Sequence, residues 1–262
     1  MCGGFGTRIR GVSEDLPKPM IPIGGYPILW HIMKTYSFYG HRKFILCLGY
    51  KAWDIKEFFI RYKSMVSDIK VLTASDSISP VSEDQVDDWE VTLVDTGINS
   101  GTGGRLAKVA HLIDTDHFML SYGDGVGNID LSAQLANLAT SDYLGLVTGV
   151  HPTSRYGELS VSDGQVTSFA EKIESNGWVS GGFFAFKSDF LEYVPQDEPA
   201  HFFEHGPLQK LAAEGKLGLF PHGGFWMGMD TFREYSSLNA MWEQNEATWK
   251  VWGSESPDVV LS

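Results

Sequence analysis

Two patterns of apolar and polar residues alternate along the first 150 positions of the chain. Continuous apolar runs such as residues 43–48 predict buried parallel strands, and apolar residues at helical spacing in residues 27–39 predict an amphipathic helix. Their alternation with short connections favours a doubly wound, mostly parallel α/β sheet. The same patterns predict helices over residues 53–64, 103–112 and 131–139, and strands over residues 69–73, 90–95, 117–122 and 143–150.

From His151 onwards the pattern changes. Residues 156–161 and 165–171 are short strand-like runs around a turn, which predicts a hairpin, and residues 178–186 predict a further strand. An aromatic-rich tail starts at Asp230 and is predicted to be helical to about Asn245. We therefore predict two regions, 1–150 and 151–262, within one continuous domain.

Residues 74–89 form a polar, acidic insertion. The simpler interpretation is a solvated surface loop. The less favoured interpretation is a segment that covers a site or meets a partner subunit.

Composition limits the possible partners. The 262 residues are 43% hydrophobic and carry a formal net charge of −13, so an acidic surface would repel nucleic acid, and a phosphate-bearing substrate would need local cations or a metal. Cys2 and Cys47 show neither a disulfide framework nor metal-ligand spacing, which favours a reduced, cytoplasmic protein. No signal peptide or membrane-spanning stretch is visible.

A glycine-rich loop at residues 3–8 is the first candidate for chemistry. Its three glycines allow backbone N–H groups to approach an anion closely, and Arg8 and Lys18 add cationic donors. The loop is not a Walker P-loop, and Ile9 stands where a dinucleotide fingerprint has its third glycine. An ordinary glycine turn is the alternative, but the rigid Pro-Lys-Pro segment that follows favours phosphate binding.

Two aspartates are candidate metal ligands. Asp124 follows an apolar strand and is flanked by glycines, where open α/β sheets place ligand-handling groups. Asp230 precedes the C-terminal helix. The alternatives are an Asp-Gly turn for Asp124 and a helix N-cap for Asp230. Together they suit one Mg²⁺ that shares its remaining positions with substrate phosphates.

Two further segments are candidate binding sites that also have a purely structural interpretation. In residues 100–105 small residues leave room for a planar base and Arg105 offers donors, but the segment also reads as a helix N-terminus capped by Thr102. Glu171-Lys172 at a strand end is, taken alone, a surface charge pair.

In this order, these motifs resemble the sugar-1-phosphate nucleotidyltransferases. The resemblance rests on Gly-Gly-Phe-Gly-Thr-Arg at 3–8, Pro-Lys-Pro-Met at 17–20, Gly-Gly-Tyr-Pro-Ile-Leu at 24–29, Tyr-Gly-Asp-Gly at 122–125 and Glu-Lys at 171–172. It covers nearly the whole chain. Finer motifs, among them Thr-Gly-Gly-Arg-Leu at 102–106, resemble the cytidylyl-transferring branch of the family.

The resemblance implies a Rossmann-like mixed sheet of the nucleotide-diphospho-sugar transferase type. It implies CTP and α-D-glucose 1-phosphate as substrates, CDP-glucose and pyrophosphate as products, Mg²⁺ as cofactor, and a homo-oligomer. Arg8 and Lys18 would be the catalytic cations, Asp124 and Asp230 the metal ligands, and Lys172 and Gly182 the contacts to the sugar phosphate. The implied nucleotide contacts are Gly3, Gly4, Phe5, Gly6, Thr7, Arg8, Ser100, Thr102, Gly103, Arg105 and Gly123.

The chemistry of the reactants agrees with this resemblance. A sugar phosphate is already anionic at neutral pH, so its attack on the α-phosphorus needs no general base. What it needs is alignment of two anions and a positive field. We therefore predict direct in-line displacement without a covalent enzyme intermediate.

Three alternatives stay open. The same fold would serve another nucleotide or sugar phosphate, or a non-catalytic paralogue that binds sugar nucleotides. A metal-dependent glycosyltransferase is weaker, because Val126 stands where an Asp-x-Asp pair has its second aspartate.

Glycine loops of this kind normally follow a buried strand, of which only Met1 and Cys2 are present, so we expect the native chain to begin several residues upstream.

Overall fold

The computed structural model describes residues 1–4, 16–82, 86–151, 158–162, 165–170 and 177–253. Seven α-helices are present in these residues: α1 Ile28–Phe38, α2 Ala52–Ile60, α3 Tyr62–Val66, α4 Thr102–Val109, α5 Leu131–Thr140, α6 Pro207–Ala213 and α7 Phe232–Glu243. They also contain fourteen strands: β1 Pro22–Ile23, β2 Tyr26–Pro27, β3 Lys43–Leu48, β4 Ile69–Leu72, β5 Ser77–Pro80, β6 Glu90–Asp95, β7 His117–Ser121, β8 Gly125–Gly127, β9 Gly145–Val150, β10 Glu158–Ser162, β11 Gln165–Ala170, β12 Val179–Lys187, β13 Leu217–Pro221 and β14 Trp226–Gly228.

The first predicted helix and strand lie where the sequence places them. Pro27 precedes α1, and Gly40 follows it with a φ of 88°, a left-handed conformation that glycine adopts without strain. Strand β3 spans the predicted residues and becomes buried towards its carboxyl end. The apolar periodicity therefore identifies both elements correctly.

The strands form a mixed α/β architecture. Strand β3 pairs in parallel with β6. The largest described sheet has the order β13-β9-β12-β7, in which β13 and β9 are parallel and β12 is antiparallel to both of its neighbours. The predicted α/β fold class with a mixed sheet is confirmed.

Residues 69–80 depart from the prediction. Strand β4 does not join a main sheet but pairs with β5 in a two-stranded antiparallel hairpin. The prediction of a loop from residue 74 is wrong at Ser77–Pro80, which is strand. All four residues of β4 are exposed, so local backbone pairing rather than core burial forms this strand.

Other differences are small. The helix predicted over residues 53–64 is divided at Arg61 into α2 and α3, and α4 ends at Val109 in a turn of 3-10 helix. The predicted hairpin near residue 160 is confirmed as the antiparallel pair β10 and β11. The C-terminal helix is confirmed as α7.

The core links the two ends of the chain. Trp249 is fully buried and shares a hydrophobic cluster with residues of α1 such as Ile28 and Ile32. No helix in the described part of the chain is long and apolar enough to cross a bilayer. The segment after α7 thus packs against α1.

Candidate active site

Three charged side chains from distant parts of the sequence meet in one cluster. The Nζ atom of Lys18 lies 2.6 Å from Oδ2 of Asp124 and 2.8 Å from Oδ1 of Asp230. The Lys18 side chain is 11% exposed, while those of the two aspartates are 39% and 36% exposed. One ammonium group therefore bridges two partly solvent-facing carboxylates.

The pairing of two short strands brings the aspartates together. Gly125 of β8 stands opposite Gly228 of β14, and the N–H of Met229 donates to the carbonyl of Asp124 at 2.8 Å. Asp124 comes one residue before Gly125, and Asp230 comes two residues after Gly228. The sequence predicts the carboxylates individually, but this antiparallel register makes them neighbours.

The alternative role of Asp230 as a helix cap is wrong. Thr231 is the N-cap of α7, and its side chain accepts a hydrogen bond from the N–H of Glu234. Glu234 in turn accepts from the backbone N–H groups of Thr231 and Asp230, which completes a capping box. The carboxylate of Asp230 is thus directed to the cluster rather than to the helix.

The cluster has the electrostatics of a cation site. Burial disfavours the charged form of Lys18, but the charges and hydrogen bonds of Asp124 and Asp230 outweigh it and raise the pKa of Lys18. No group of three or more His, Cys, Asp or Glu side chains in the described part of the chain is arranged to hold a metal. Two carboxylates are nevertheless the protein ligand set that Mg²⁺ commonly uses when substrate phosphates complete its coordination.

Arg105 fixes the backbone at the start of the glycine loop by hydrogen bonds. Its guanidinium donates to the carbonyls of Leu48 (2.8 Å) and Gly3 (2.9 Å) and to Oγ1 of Thr96 (2.7 Å). The residue is 4% exposed. The structure thus gives Arg105 a role in positioning the loop, and its predicted contact with the base stays a prediction.

The small residues of the segment 100–105 serve close packing. A Cβ on Gly103 would lie 2.1 Å from Nε2 of His201, and a Cβ on Gly104 would lie 2.0 Å from the carbonyl oxygen of Pro199. The space that the sequence assigns to a planar base is therefore filled in part by residues 199–201. The cap prediction for Thr102 is also wrong, because Gly101 is the N-cap and the Thr102 hydroxyl donates to Glu204.

A cavity of about 320 Å³ adjoins the charged cluster. It gathers most of the described residues that the sequence singles out. Gly182, with a φ of 76°, is not among the residues that line the cavity. It packs against Tyr122, whose N–H donates to the Gly182 carbonyl. Phe5, Gly6, Thr7, Arg8 and Lys172 lie outside the described residues. The predicted residues that line the cavity are Gly3, Gly4, Lys18, Ser100, Thr102, Arg105, Gly123, Asp124 and Asp230.

Two residues that line this cavity, Tyr122 and Phe202, and a third that accepts hydrogen bonds from lining residues, Glu204, were not predicted as site residues. The Tyr122 hydroxyl and the Thr102 hydroxyl both donate to the carboxylate of Glu204. Burial, and then the hydrogen bond and charge of Glu204, raise the pKa of Tyr122. Phe202 lines the cavity and is 50% exposed. Nothing local in the sequence marks residues 202–204, because their position depends on packing against α4.

The fold and the site together define a class of enzyme. A model of the nucleotidyl transferase family matches residues 1–245, so the chain belongs to this family and is a nucleotidyltransferase.

Relatives narrow the similarity further. The chain is 42% identical over 254 residues to the glucose-1-phosphate cytidylyltransferase of Salmonella typhi, with 96% of this chain and 98% of the relative covered. It is 39% identical over 252 residues to the probable glucose-1-phosphate cytidylyltransferase of Bacillus subtilis (strain 168), with the same coverage.

Solved structures support the fold. HddC from Yersinia pseudotuberculosis, complexed with GMP-PN, aligns with a TM-score of 0.65 at 23% identity over 92% of this chain and 96% of that one. A UDP-glucose pyrophosphorylase complexed with UDP-glucose aligns with a TM-score of 0.65 at 14% identity over 93% and 97% of the two chains. These likenesses concern the fold alone.

Proposed function

We propose that the protein transfers a cytidylyl group from CTP to α-D-glucose 1-phosphate and forms CDP-glucose and pyrophosphate. The observation that carries the proposal is the convergence of Asp124 and Asp230 on Lys18 beside the start of the glycine loop. The relatives named glucose-1-phosphate cytidylyltransferase support the choice of cytosine and glucose.

The described residues suit the handling of two anions. Lys18 is a partly buried, charged donor at the cavity wall, and a reorientation of its flexible stem would turn its ammonium from the carboxylates to a phosphate. Pro17 and Pro19 restrict the backbone around it. Arg8 and Lys172, which lie outside the described residues, are proposed as further cations for the nucleotide and the sugar phosphate.

Asp124 and Asp230 are proposed to hold Mg²⁺ together with phosphate oxygens of the substrate. When bound, the ion supplies charge neutralisation at the α-phosphate. The fit follows from the donor set: two carboxylate oxygens already lie around a single cationic nitrogen at 2.6 and 2.8 Å.

We propose that the sugar phosphate attacks the α-phosphorus directly. The attacking phosphate oxygen is already ionised at neutral pH, so the step needs no general base. The protein contributes alignment and charge, and good alignment alone supplies on the order of 7–11 kcal/mol.

The test is pyrophosphate release with glucose 1-phosphate and each of CTP, UTP, dTTP and GTP in the presence of Mg²⁺. We expect CTP to give a kcat/KM at least tenfold above that of any other nucleotide. A preference for another nucleotide would replace cytidylyl by that group within the same reaction. Absence of release with every nucleotide would favour the non-catalytic paralogue.

The metal assignment makes its own prediction. Asp124→Asn keeps the size of the side chain but removes its charge, so kcat/KM should fall at least about 100-fold, more than loss of an outer-shell metal contact. The same assay measures it. Asp142→Asn, at an exposed position away from the cavity, is the matched control and should keep wild-type activity. Equal activity of the wild type and Asp124→Asn would remove Asp124 from the metal site.

A further inference from the structure

One carboxylate holds two hydroxyl groups at the wall of the active-site cavity. Tyr122 and Thr102 both line this cavity, and their hydroxyls donate to the two different oxygens of Glu204. Glu204 itself is not among the described residues that line the cavity. It can therefore affect a ligand in the cavity through the two hydroxyls that it holds.

The carboxylate fixes the direction in which both hydroxyl hydrogens point. An ionised carboxylate carries no hydrogen and only accepts, so both hydrogens are directed to Glu204 and away from a ligand. Burial, and then the hydrogen bond and charge of Glu204, raise the pKa of Tyr122, so its phenol stays protonated at neutral pH. Towards any further partner, the two hydroxyls are acceptors.

The two hydroxyls differ in the acceptor capacity that remains. Oγ1 of Thr102 already accepts from the N–H of Phe203 at 3.2 Å. Within the part of the chain that the structure describes, no group donates to the Tyr122 hydroxyl. The Tyr122 oxygen is thus the stronger candidate to accept from a ligand.

The first turn of α4 supplies no competing donors at this wall. The N–H of Gly101 donates to the carbonyl of Pro199 at 2.9 Å, and the N–H of Gly103 donates to the carbonyl of His201 at 3.2 Å. Both N–H groups are therefore occupied by the protein itself. This part of the wall presents acceptors rather than donors.

An aromatic ring beside these acceptors indicates which kind of ligand group they face. Phe202 lines the same cavity and is 50% exposed. An exposed ring next to a hydrogen-bond acceptor suits a planar base that carries an N–H donor, because every base has a π-face that stacks. Cytosine has an amino group at position 4, whereas thymine, like uracil, has an acceptor oxygen there.

We propose that Glu204 is a positioning residue for nucleotide selection. By keeping the Tyr122 hydroxyl an acceptor, it makes the cavity favour a base with an amino group over a base with a carbonyl oxygen at the same ring position. This inference rests on the proposed cytidylyl transfer and names the group that separates CTP from UTP.

The test is Glu204→Gln, which keeps the size of the side chain but makes one end of it a donor. Because the Thr102 oxygen already accepts from Phe203, the new amide N–H should face Tyr122, whose hydrogen then turns towards the cavity. The ratio of kcat/KM for CTP to that for UTP should fall about tenfold, chiefly through a higher KM for CTP. Equal losses with both nucleotides, or an unchanged ratio, would overturn the proposal.

Glu214→Gln is the matched control. Glu214 also accepts from a tyrosine hydroxyl, that of Tyr193 at 2.7 Å, but this pair is exposed and lies away from the cavity. The control should leave the CTP to UTP ratio within about twofold of the wild type.

A second variant tests the route by which Glu204 acts. Tyr122→Phe removes the hydroxyl and should lower the CTP to UTP ratio by itself. In the Tyr122→Phe protein, Glu204→Gln should then change the ratio by less than about twofold, since coupled residues are not additive. A further fall as large as in the wild-type background would contradict the proposal.

Calorimetric titration with CTP and UTP in the absence of sugar phosphate separates this inference from the proposed reaction. The wild type should bind CTP more tightly than UTP, and Glu204→Gln should remove most of that preference. If this binding pattern holds but no pyrophosphate is released, the proposed reaction alone is contradicted. Equal binding of the two nucleotides by the wild type would overturn the inference itself.

Discussion

At the scale of single residues, Lys18 has a position that its sequence context only partly explains. The flanking prolines indicate a rigidly presented cation, but they do not indicate its partners. In the structure the ammonium group lies between Asp124 and Asp230 and offsets their mutual repulsion. The ammonium group therefore lies where a divalent cation bound by both carboxylates would lie, so the two would compete.

This competition gives a prediction for Lys18→Met. Removing the ammonium leaves two neighbouring carboxylates without their lysine counter-charge, so the free protein should bind Mg²⁺ roughly tenfold more tightly, an effect of about 1.4 kcal/mol. Isothermal titration with Mg²⁺ in the absence of substrates measures it. Catalysis should nevertheless fall, since the proposed phosphate contact is lost.

The matched control for this prediction is Lys34→Met. Lys34 forms an ion pair with Asp87 at 2.5 Å, away from the active-site cavity. Its loss should leave Mg²⁺ affinity unchanged. Equal Mg²⁺ affinity in Lys18→Met and the wild type would show that the ammonium does not compete with the ion.

At the scale of elements, Arg105 joins three segments that the sequence separates. Its guanidinium reaches the carbonyl at the end of β3, the hydroxyl of Thr96 after β6 and the carbonyl of Gly3. Room for this group depends on glycine: a Cβ on Gly3 would lie 1.9 Å from Nη1, and one on Gly49 would lie 2.7 Å from it. The buried arginine thus requires two glycines that the sequence shows only as flexible positions.

Gly3→Ala and Gly4→Ala form a matched pair for this arrangement. Alanine at position 3 should displace the guanidinium and reduce the free energy of unfolding by about 2–4 kcal/mol, because buried carbonyls lose their donor and the packing is strained. Alanine at position 4 meets no atom within 4 Å and should change it by less than about 0.5 kcal/mol. Urea unfolding compares them. Equal losses would argue against the role of Arg105.

At the scale of the whole molecule, His31 joins the N-terminal and C-terminal parts of the fold. It is fully buried on α1, its Nε2 donates to the carbonyl of Ile23 at 2.9 Å, and its Nδ1 accepts from the indole N–H of Trp249 at 3.3 Å. This arrangement requires neutral imidazole, since the protonated ring has no acceptor for Trp249. Burial lowers the pKa of His31 to about 4.

The lowered pKa predicts how stability depends on pH. In the unfolded chain the histidine takes up a proton near its ordinary pKa of 6.5, whereas the folded protein resists protonation down to about 4. The unfolded state therefore binds more protons in this range, and the free energy of unfolding should fall by about 3 kcal/mol as the pH drops from 6.5 to 4. Above about pH 7.5 the His31 contribution should be constant, because the imidazole is then neutral in both states.

Urea unfolding of the wild type and His31→Gln at several pH values measures this contribution. Carboxylates titrate in both proteins, so the difference between the two curves isolates His31. The difference should shrink steadily below pH 6.5. A difference that does not change with pH would show that His31 is protonated in the folded state as readily as in the unfolded one.

The sequence alone determines the local elements and the chemical character of the candidate groups. The pattern of apolar residues identifies α1, β3 and β6, because side-chain spacing reports which face of an element is buried. The glycine loop, Lys18 and the two aspartates are also recognisable one by one, since phosphate and metal chemistry restricts the residue types. Their order along the chain suffices to recognise the family.

Only the tertiary structure decides which of these groups meet. The register of β8 and β14 places Asp124 beside Asp230, and the contact between residues 199–201 and α4 shows that Gly103 and Gly104 serve packing. The hairpin of β4 and β5 could not be separated from the main sheet by periodicity, because an exposed strand and a buried one share the same short apolar pattern. Distances across a fold depend on pairings between remote segments, and no local pattern encodes them.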